Sequence, residues 1–147
     1  MINELDVTNQ LINVIQTHLN EYLIEKYRIS KDQVVMGAPD VDKAPFPVTI
    51  YVEPTYSQIE ESTTCSDSID FRLTIWVLCK RDTQMNLMEK QFVYYNSIYY
   101  LLRNNTSLDG FIDETKVIDA DFDLAVEANP NVRGSDIQVS ISFEKDF

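Results

Sequence analysis

The segment from Ile69 to Cys79, which reads IDFRLTIWVLC, constrains the fold of this chain more than any other stretch. Its apolar side chains recur at every second position, which is the period of a β-strand. One face consists of Ile69, Phe71, Leu73, Ile75, Val77 and Cys79. The other face begins polar, with Asp70, Arg72 and Thr74, and becomes apolar at Trp76 and Leu78. We therefore predict that either another element or another subunit covers that end of the second face.

Two shorter strand patterns and two loop patterns precede or interrupt this strand. Val34 to Met36 predicts a short strand, and Val48 to Glu53 predicts a half-buried strand that ends at Pro54. Gly37 to Pro47 holds a glycine and three prolines and predicts a loop. Thr55 to Ser68 is polar and predicts a second long loop.

The end of the chain predicts a long antiparallel hairpin. Apolar and acidic residues alternate in its first strand, with Ile118, Ala120, Phe122, Leu124 and Val126 between Asp119, Asp121, Asp123 and Glu127. The second strand alternates Ile137, Val139, Ile141 and Phe143 with Gln138, Ser140, Ser142 and Glu144. The intervening segment ANPNVRGSD has the composition of a turn. One face of the hairpin is therefore expected to be apolar and the other acidic or polar.

Two segments have helical periodicity. The first runs from about Asp6 to Tyr27, with His18 on its apolar stripe and Asn3, Asp6 or Thr8 as its N-cap. The second runs from about Gln84 to Asn104, capped by Asp82 or Thr83. At 100° per residue its core stripe is predicted to comprise Met88, Phe92, Tyr95, Ile98, Tyr99 and Leu102, flanked by Leu87, Tyr94 and Leu101. Val93 and Tyr100 then fall on the opposite face, where solvent is expected.

This element order predicts one α+β domain spanning residues 1–147. We expect a mainly antiparallel sheet of four to five strands, with two amphipathic helices packed on one of its faces. The length suits a single domain with a substantial core. The apolar residues that this core leaves unexplained are Trp76, Leu78, Val93 and Tyr100, and they are our candidate oligomer interface.

The sequence contains no pattern that indicates catalysis, a metal or a cofactor. Its one histidine, His18, is expected to be packed and hydrogen-bonded, and Cys65 and Cys79 do not form a metal-binding pair. DADFDL begins with the aspartate spacing of a calcium loop, but Leu124 and Pro130 stand where glycine and glutamate are needed. We predict a protein that is not an enzyme.

The charge argues against nucleic-acid binding. The chain carries a net charge of −12, and residues 109–147 hold ten acidic and three basic residues, a net of −7. Such a surface repels phosphate. The aromatic run QFVYYNSIYYLL has only Lys90 and Arg103 as basic neighbours on its helix, so we interpret its tyrosines as core and not as a base-stacking platform. No secretory signal begins the sequence, and its longest apolar run is too short for a membrane span.

Several stretches together resemble the tail terminator and tail-completion proteins of long-tailed bacteriophages, over about residues 7–144. In chain order they are LINVIQTHLNEYL, PFPVTIYVEP, DFRLTIWVLCKR, YYLLRN, LDG and IQVSISFE. Each matches an element of that family's layout, from the N-terminal helix to the closing hairpin. The chain departs from the family in its stronger acidity and in its long loop from Gly37 to Pro47.

The resemblance implies a structural virion protein, assembled in the bacterial host cytoplasm, that forms a homo-oligomeric ring, typically of six subunits. Such a ring caps the tail tube, stops its polymerisation and joins it to the head, so tube and head-connector proteins are the implied partners. It needs no cofactor, and Asp119, Asp121 and Asp123 are candidates for an acidic strand facing its channel. Three alternatives remain open: a small bacterial α+β ligand-binding or regulatory domain acting as a dimer, another head–tail joining or minor tail protein, and, last, a small enzyme.

Overall fold

The computed structural model describes residues 2–42, 47–61, 63–80, 87–126 and 129–146, and its elements form one α+β unit. They are α1 (Glu4–His18), β1 (Val34–Met36), β2 (Val48–Glu61), β3 (Ser66–Lys80), α2 (Leu87–Asn104), β4 (Glu114–Val126) and β5 (Asn129–Asp146). The five strands form one sheet in the order β1-β2-β3-β5-β4. Only β1 and β2 run parallel, so the predicted fold class, α+β with a mostly antiparallel sheet, is confirmed.

Strand β3 lies at the centre of the sheet, as its sequence pattern predicts. It pairs with β2 on one side and with β5 on the other, along nearly its whole length in both cases. Its predicted core face is buried and packs with residues of α1 and α2 in one apolar cluster. Because a strand paired on both sides leaves no backbone edge to solvent, β3 fixes the position of every neighbouring element.

Helix α1 begins where its capping residues predict but ends early. Asn3 and Asp6 form a reciprocal capping box, in which each side chain accepts from the other residue's backbone N–H. The helix stops at His18, and short 3-10 turns follow in place of the predicted helix to Tyr27. The Asn20 amide donates to the Ile29 carbonyl at 2.8 Å and accepts from the Ile29 N–H at 2.9 Å. This two-way bond turns the chain back before a longer helix can form.

Helix α2 buries only part of its predicted stripe: Ile98 and Leu102 are buried as predicted, as are Tyr94 and Leu101 of the flank, whereas the other predicted aromatic residues are not. Its buried residues are Lys90, Gln91, Tyr94, Ser97, Ile98, Leu101 and Leu102, so the buried stripe is rotated by about 90° from the predicted one. Three polar contacts on that face explain the rotation. Ser135 donates to the Gln91 amide oxygen at 2.6 Å, Tyr94 donates to the Tyr27 carbonyl at 2.8 Å, and Ser97 donates to the Tyr22 carbonyl at 3.3 Å. The predicted caps, Asp82 and Thr83, lie outside the described residues.

The predicted loop from Thr55 to Ser68 is wrong, because most of it forms strands. Strand β2 continues past Pro54 to Glu61, and β3 begins at Ser66. A register shift after Pro54 leaves Thr55 as the extra residue of a bulge, and its hydroxyl donates to the Arg72 carbonyl at 3.1 Å. Proline is tolerated here because no other described strand pairs with β2 beyond Val52.

The closing hairpin is formed by β4 and β5, and its second strand shows the predicted alternation. Ile137, Val139 and Ile141 are fully buried. Strand β4 is less regular, because a register shift between Val117 and Asp119 leaves Ile118 exposed. Before it, α2 is followed by a tight turn in which Leu108 and Asp109 adopt positive φ angles and Gly110 continues them.

The second face of β3 is covered by the chain itself at its apolar end. Leu78 is only 2% exposed and packs with Val41, Tyr51 and Val132, while Trp76 lies half-buried at the margin of this group. The Tyr51 hydroxyl donates to the Asp40 carbonyl at 3.0 Å, which holds the segment before β2 against the sheet. Of the two predicted coverings, another element is therefore the one present over Leu78.

Two isoleucines of different exposure test the assignment of the core. Replacing Ile75, which is fully buried, with alanine should lower the free energy of unfolding by about 2–5 kcal/mol, because it leaves a cavity. Ile118→Ala removes the same atoms from a residue that is 45% exposed and should cost under about 1 kcal/mol. Urea unfolding followed by circular dichroism measures both, and equal losses would contradict this assignment of the core.

Candidate assembly surfaces

The structure does not bring the four predicted interface residues together. Trp76 and Leu78 lie on the sheet face away from the helices, whereas Val93 and Tyr100 belong to α2. Leu78 is buried within its own chain, and Val93 packs partly against the main core, contrary to the expectation that both are uncovered. Tyr100 is 54% exposed and keeps its place as an interface candidate. Participation of these residues in an oligomer stays a prediction.

A continuous aromatic surface lies beside Tyr100, and we call it the aromatic patch: Phe92, Tyr95, Tyr99 and Tyr100 of α2 with Phe122 of β4. The Phe122 ring lies 4.9 Å from the Phe92 ring and 4.9 Å from the Tyr95 ring, centroid to centroid. Tyr99 joins Tyr95 to Tyr100, at 6.1 and 5.6 Å. Phe92 and Tyr100 are exposed, and Tyr95, Tyr99 and Phe122 are half-buried. The rings hold one another in place, so the patch is a preformed apolar surface.

The aromatic patch is uncharged, although the chain as a whole carries a net charge of −12. On the described part of α2 the charged residues are Glu89, Lys90 and Arg103, and Lys90 is buried. Contact between two strongly acidic proteins costs least where neither presents carboxylates. The patch is therefore a surface on which another acidic protein, including a second copy of this chain, meets little repulsion.

The predicted core stripe of α2 thus supplies most of the aromatic patch. Phe92, Tyr95 and Tyr99 were assigned to the core by their apolarity alone. The signal that places them outward is a pair of polar residues on the other side of the helix: Gln91 accepts a hydrogen bond from Ser135 of β5, and Ser97 donates one to the Tyr22 carbonyl. Such partners are not visible in the periodicity of one helix.

The predicted acidic strand is β4, and its described aspartates point to solvent. Asp119 and Asp121 are exposed, while the side chain of Asp123 lies outside the described residues. The structure adds Asp136 of β5, which accepts from the Asp121 N–H at 3.1 Å. Burial raises the pKa of Asp136, and the carboxylates of Asp121 and Asp119 raise it further. Three carboxylates therefore share one region of the sheet, and the sequence pattern reveals two of them.

A second polar group lies further along the same sheet face. The Arg72 guanidinium donates to both Asp70 carboxylate oxygens, at 3.0 to 3.3 Å, and the Ser140 hydroxyl also donates to Asp70. The hydrogen bonds from Arg72, followed by the one from Ser140, hold the pKa of Asp70 below its ordinary value. Asp70 is thus held as a paired carboxylate, which indicates a structural part in the sheet face.

His18 joins the end of α1 to the turn after α2. Its Nδ1 lies 3.3 Å from a Glu21 oxygen, and its Nε2 lies 3.4 Å from an Asp109 oxygen. The Asn105 amide donates to Asp109 at 2.8 Å, which orients that carboxylate. The expectation of a hydrogen-bonded histidine agrees with these contacts, but the side chain is half-exposed and not buried in the core stripe. The hydrogen bond to Glu21, aided by Asp109, raises the pKa of His18.

Among the described residues, no cluster of histidine, cysteine and carboxylate side chains has the arrangement of a metal site. Cys65 is exposed in the β2–β3 turn, Cys79 is buried in the core, and neither forms a disulfide. No helix in the described part of the chain is long and apolar enough to cross a membrane.

No protein-family model matches this chain, and no curated protein matches it either. A solved structure does: one chain of a structure described as the virion of a native gene transfer agent particle. That chain superposes with a TM-score of 0.57 at 12% sequence identity, over 95% of this chain and 95% of its own length. Likeness at this identity shows a shared fold across essentially the whole chain.

His18 gives a prediction for the pH dependence of stability. Its folded-state pKa is raised above the ordinary value of about 6.5, so protonation favours the folded state. The contribution should be complete below that value and lost as the pH rises through the folded-state pKa. His18→Gln should therefore destabilise the protein at pH 5.5, by roughly 0.2–1 kcal/mol for so exposed a pair, and have a smaller effect at pH 8.5. Urea unfolding at both pH values measures this, and an equal loss at each would contradict it.

Proposed function

We propose that this protein is a structural, non-enzymatic subunit of a phage-like virion. The observation that carries the proposal is the fold shared, over nearly the full length of both chains, with a chain of a gene transfer agent virion. The described surface supports it, because it offers an aromatic patch and an acidic sheet face for contacts with other molecules. Fold alone does not determine function, so the surfaces supply the testable part of the proposal.

Within that class, we propose the role of a tail terminator: a ring that caps the tail tube, stops its growth and joins it to the head. The resemblance of the sequence to that family supports this role, and so does the agreement of the element order with the observed one. A ring requires two different, complementary surfaces on each subunit. The aromatic patch supplies one of them, with Tyr100 at its exposed margin.

The energetics favour the aromatic patch as a subunit contact. Aromatic side chains contribute large apolar areas at a small cost in conformational entropy, and they are enriched in the energetically important centres of interfaces. Phe92 and Tyr100 are exposed in the isolated chain. Only contact with a partner can bury these two rings and so contribute to the free energy of association. Trp76 stays a secondary candidate, because it is half-buried beside Leu78.

Tyr100→Asp should disrupt the ring without unfolding the subunit. A carboxylate in the aromatic patch must be desolvated on association, which opposes burial of the contact. Tyr56→Asp is a matched control, since Tyr56 is 55% exposed, almost as much as Tyr100, but lies on β2. Native mass spectrometry and light scattering measure the subunit number, and far-UV circular dichroism reports folding. We expect only Tyr100→Asp to shift the oligomer to monomer.

The same measurements separate the ring from its alternatives. A closed ring, or a monomer that assembles only on isolated tail tubes, supports the terminator role. A tight dimer with a bound metabolite would refute it in favour of a ligand-binding domain. A ring unaffected by Tyr100→Asp would leave the terminator role standing but remove the aromatic patch from its interface.

We further propose that the acidic strand faces the channel of this ring. Asp119 and Asp121 are exposed, and Asp136 adds a third carboxylate beside them. A channel lined with carboxylates lets DNA pass by repelling its phosphates. An outward orientation of the same strand is the competing arrangement.

Charge reversal distinguishes a channel surface from an outer one. A ring carrying Asp119→Lys and Asp121→Lys should bind linear duplex DNA at low salt, because lysines neutralise phosphates. If those positions face the channel, linear DNA threads the ring but closed circular DNA cannot. Gel-shift assays with both topologies measure this, with the unmodified ring as control. Equal binding of circular and linear DNA would place the strand outside.

A further inference from the structure

The outer edge of β2 is open beyond its short contact with β1. Strand β1 pairs only with Ile50, Tyr51 and Val52, whereas β2 runs on to Glu61. From Tyr56 to Glu61 the other side of β2 pairs continuously with β3. No other described strand pairs with this edge, and every residue from Pro54 to Glu61 is exposed. An edge of about 20 Å therefore presents unpaired backbone groups to solvent.

The two faces beside this edge differ in character. Ile59 lies opposite buried Ile69, on the helix side of the sheet, and is 62% exposed. Tyr56, Gln58 and Glu60 lie opposite Arg72, Asp70 and Ser68, on the face away from the helices. An added strand would thus meet Ile59, between Ser57 and Glu61, on one side and Tyr56, Gln58 and Glu60 on the other.

Charge determines what can occupy this edge. Strand β2 has no lysine or arginine, and it carries Glu53, Glu60 and Glu61. A second copy of this chain carries the same net charge of −12, whereas a segment that carries lysine or arginine complements Glu60 and Glu61. A basic segment of another protein is therefore the better occupant.

We propose that the β2 edge from Tyr56 to Glu61 is a docking site for an extended segment of a different protein. The segment adds as a further strand of the sheet, with apolar side chains toward Ile59 and lysine or arginine toward Glu60 and Gln58. Backbone hydrogen bonds give such a complex its affinity, and alternate side chains give its specificity. This site stands independently of the ring contact, because it shares no residue with the aromatic patch.

A designed octapeptide of alternating lysine and valine, acetylated, amidated and fluorescently labelled, tests the site. Fluorescence anisotropy should show binding to the full chain, and hydrogen exchange of the amides from Tyr56 to Glu61 should slow in the complex. The same peptide with alternate backbone nitrogens methylated keeps its charge but loses strand pairing on one edge. It should bind at least about tenfold more weakly, which corresponds to 1.4 kcal/mol.

Two variants with the same charge change locate the peptide. Ile59→Lys should weaken binding by about tenfold or more, and Ile118→Lys, at an exposed isoleucine of β4, should leave affinity nearly unchanged. Absence of binding, equal binding of the methylated peptide, or equal effects of the two variants would each overturn the proposal. So would protection of the Tyr56 to Glu61 amides by self-association without peptide. None of these results depends on whether the ring forms.

Discussion

The pairing of β3 with β2 on one side and β5 on the other is the interaction on which the rest of the structure depends. A strand that is hydrogen-bonded on both edges and buried on one face has no freedom to slip, since a one-residue shift would turn its apolar side chains to solvent. Both helices then pack on the face that β3 sets. The outer strands β1 and β4 are positioned by their pairing with β2 and β5, and each has one edge that pairs with no other described strand.

Polar contacts inside the apolar interface decide which way α2 faces. The buried pair of Gln91 and Ser135 ties the helix to β5, and the Tyr94 hydroxyl ties it to the segment after α1. A buried amide without a partner is costly, so these bonds are strong constraints on helix rotation. They turn Phe92, Tyr95 and Tyr99 outward, and the first two of these rings lie against Phe122. A candidate contact surface of this protein is therefore a consequence of hydrogen bonds made on the other side of the helix.

Strict alternation made β3 and the second half of the hairpin predictable. At Ile69 to Cys79 and Ile137 to Phe143, burial by the core and the sequence period agree, so local pattern and tertiary environment give the same answer. The polar end of β2 was not predictable in this way. Residues from Thr55 to Glu61 have little apolar content, and only pairing with β3 makes them a strand. Tertiary contacts likewise determine which face of α2 is buried. They also determine the burial of Leu78, which is covered by the segment containing Val41.

The strand order has a consequence for how the chain reaches this structure. Strands β2 and β3 are neighbours in sequence, as are β4 and β5, so each pair can form by short-range closure. The joint between β3 and β5 must bridge the whole of α2 and is the slow, high-separation step. Until it closes, the inner edge of the most apolar strand is unprotected. Before β3 pairs with β5, this exposed edge can pair with other chains and aggregate. We therefore expect the lifetime of this intermediate to determine the yield of soluble protein during synthesis.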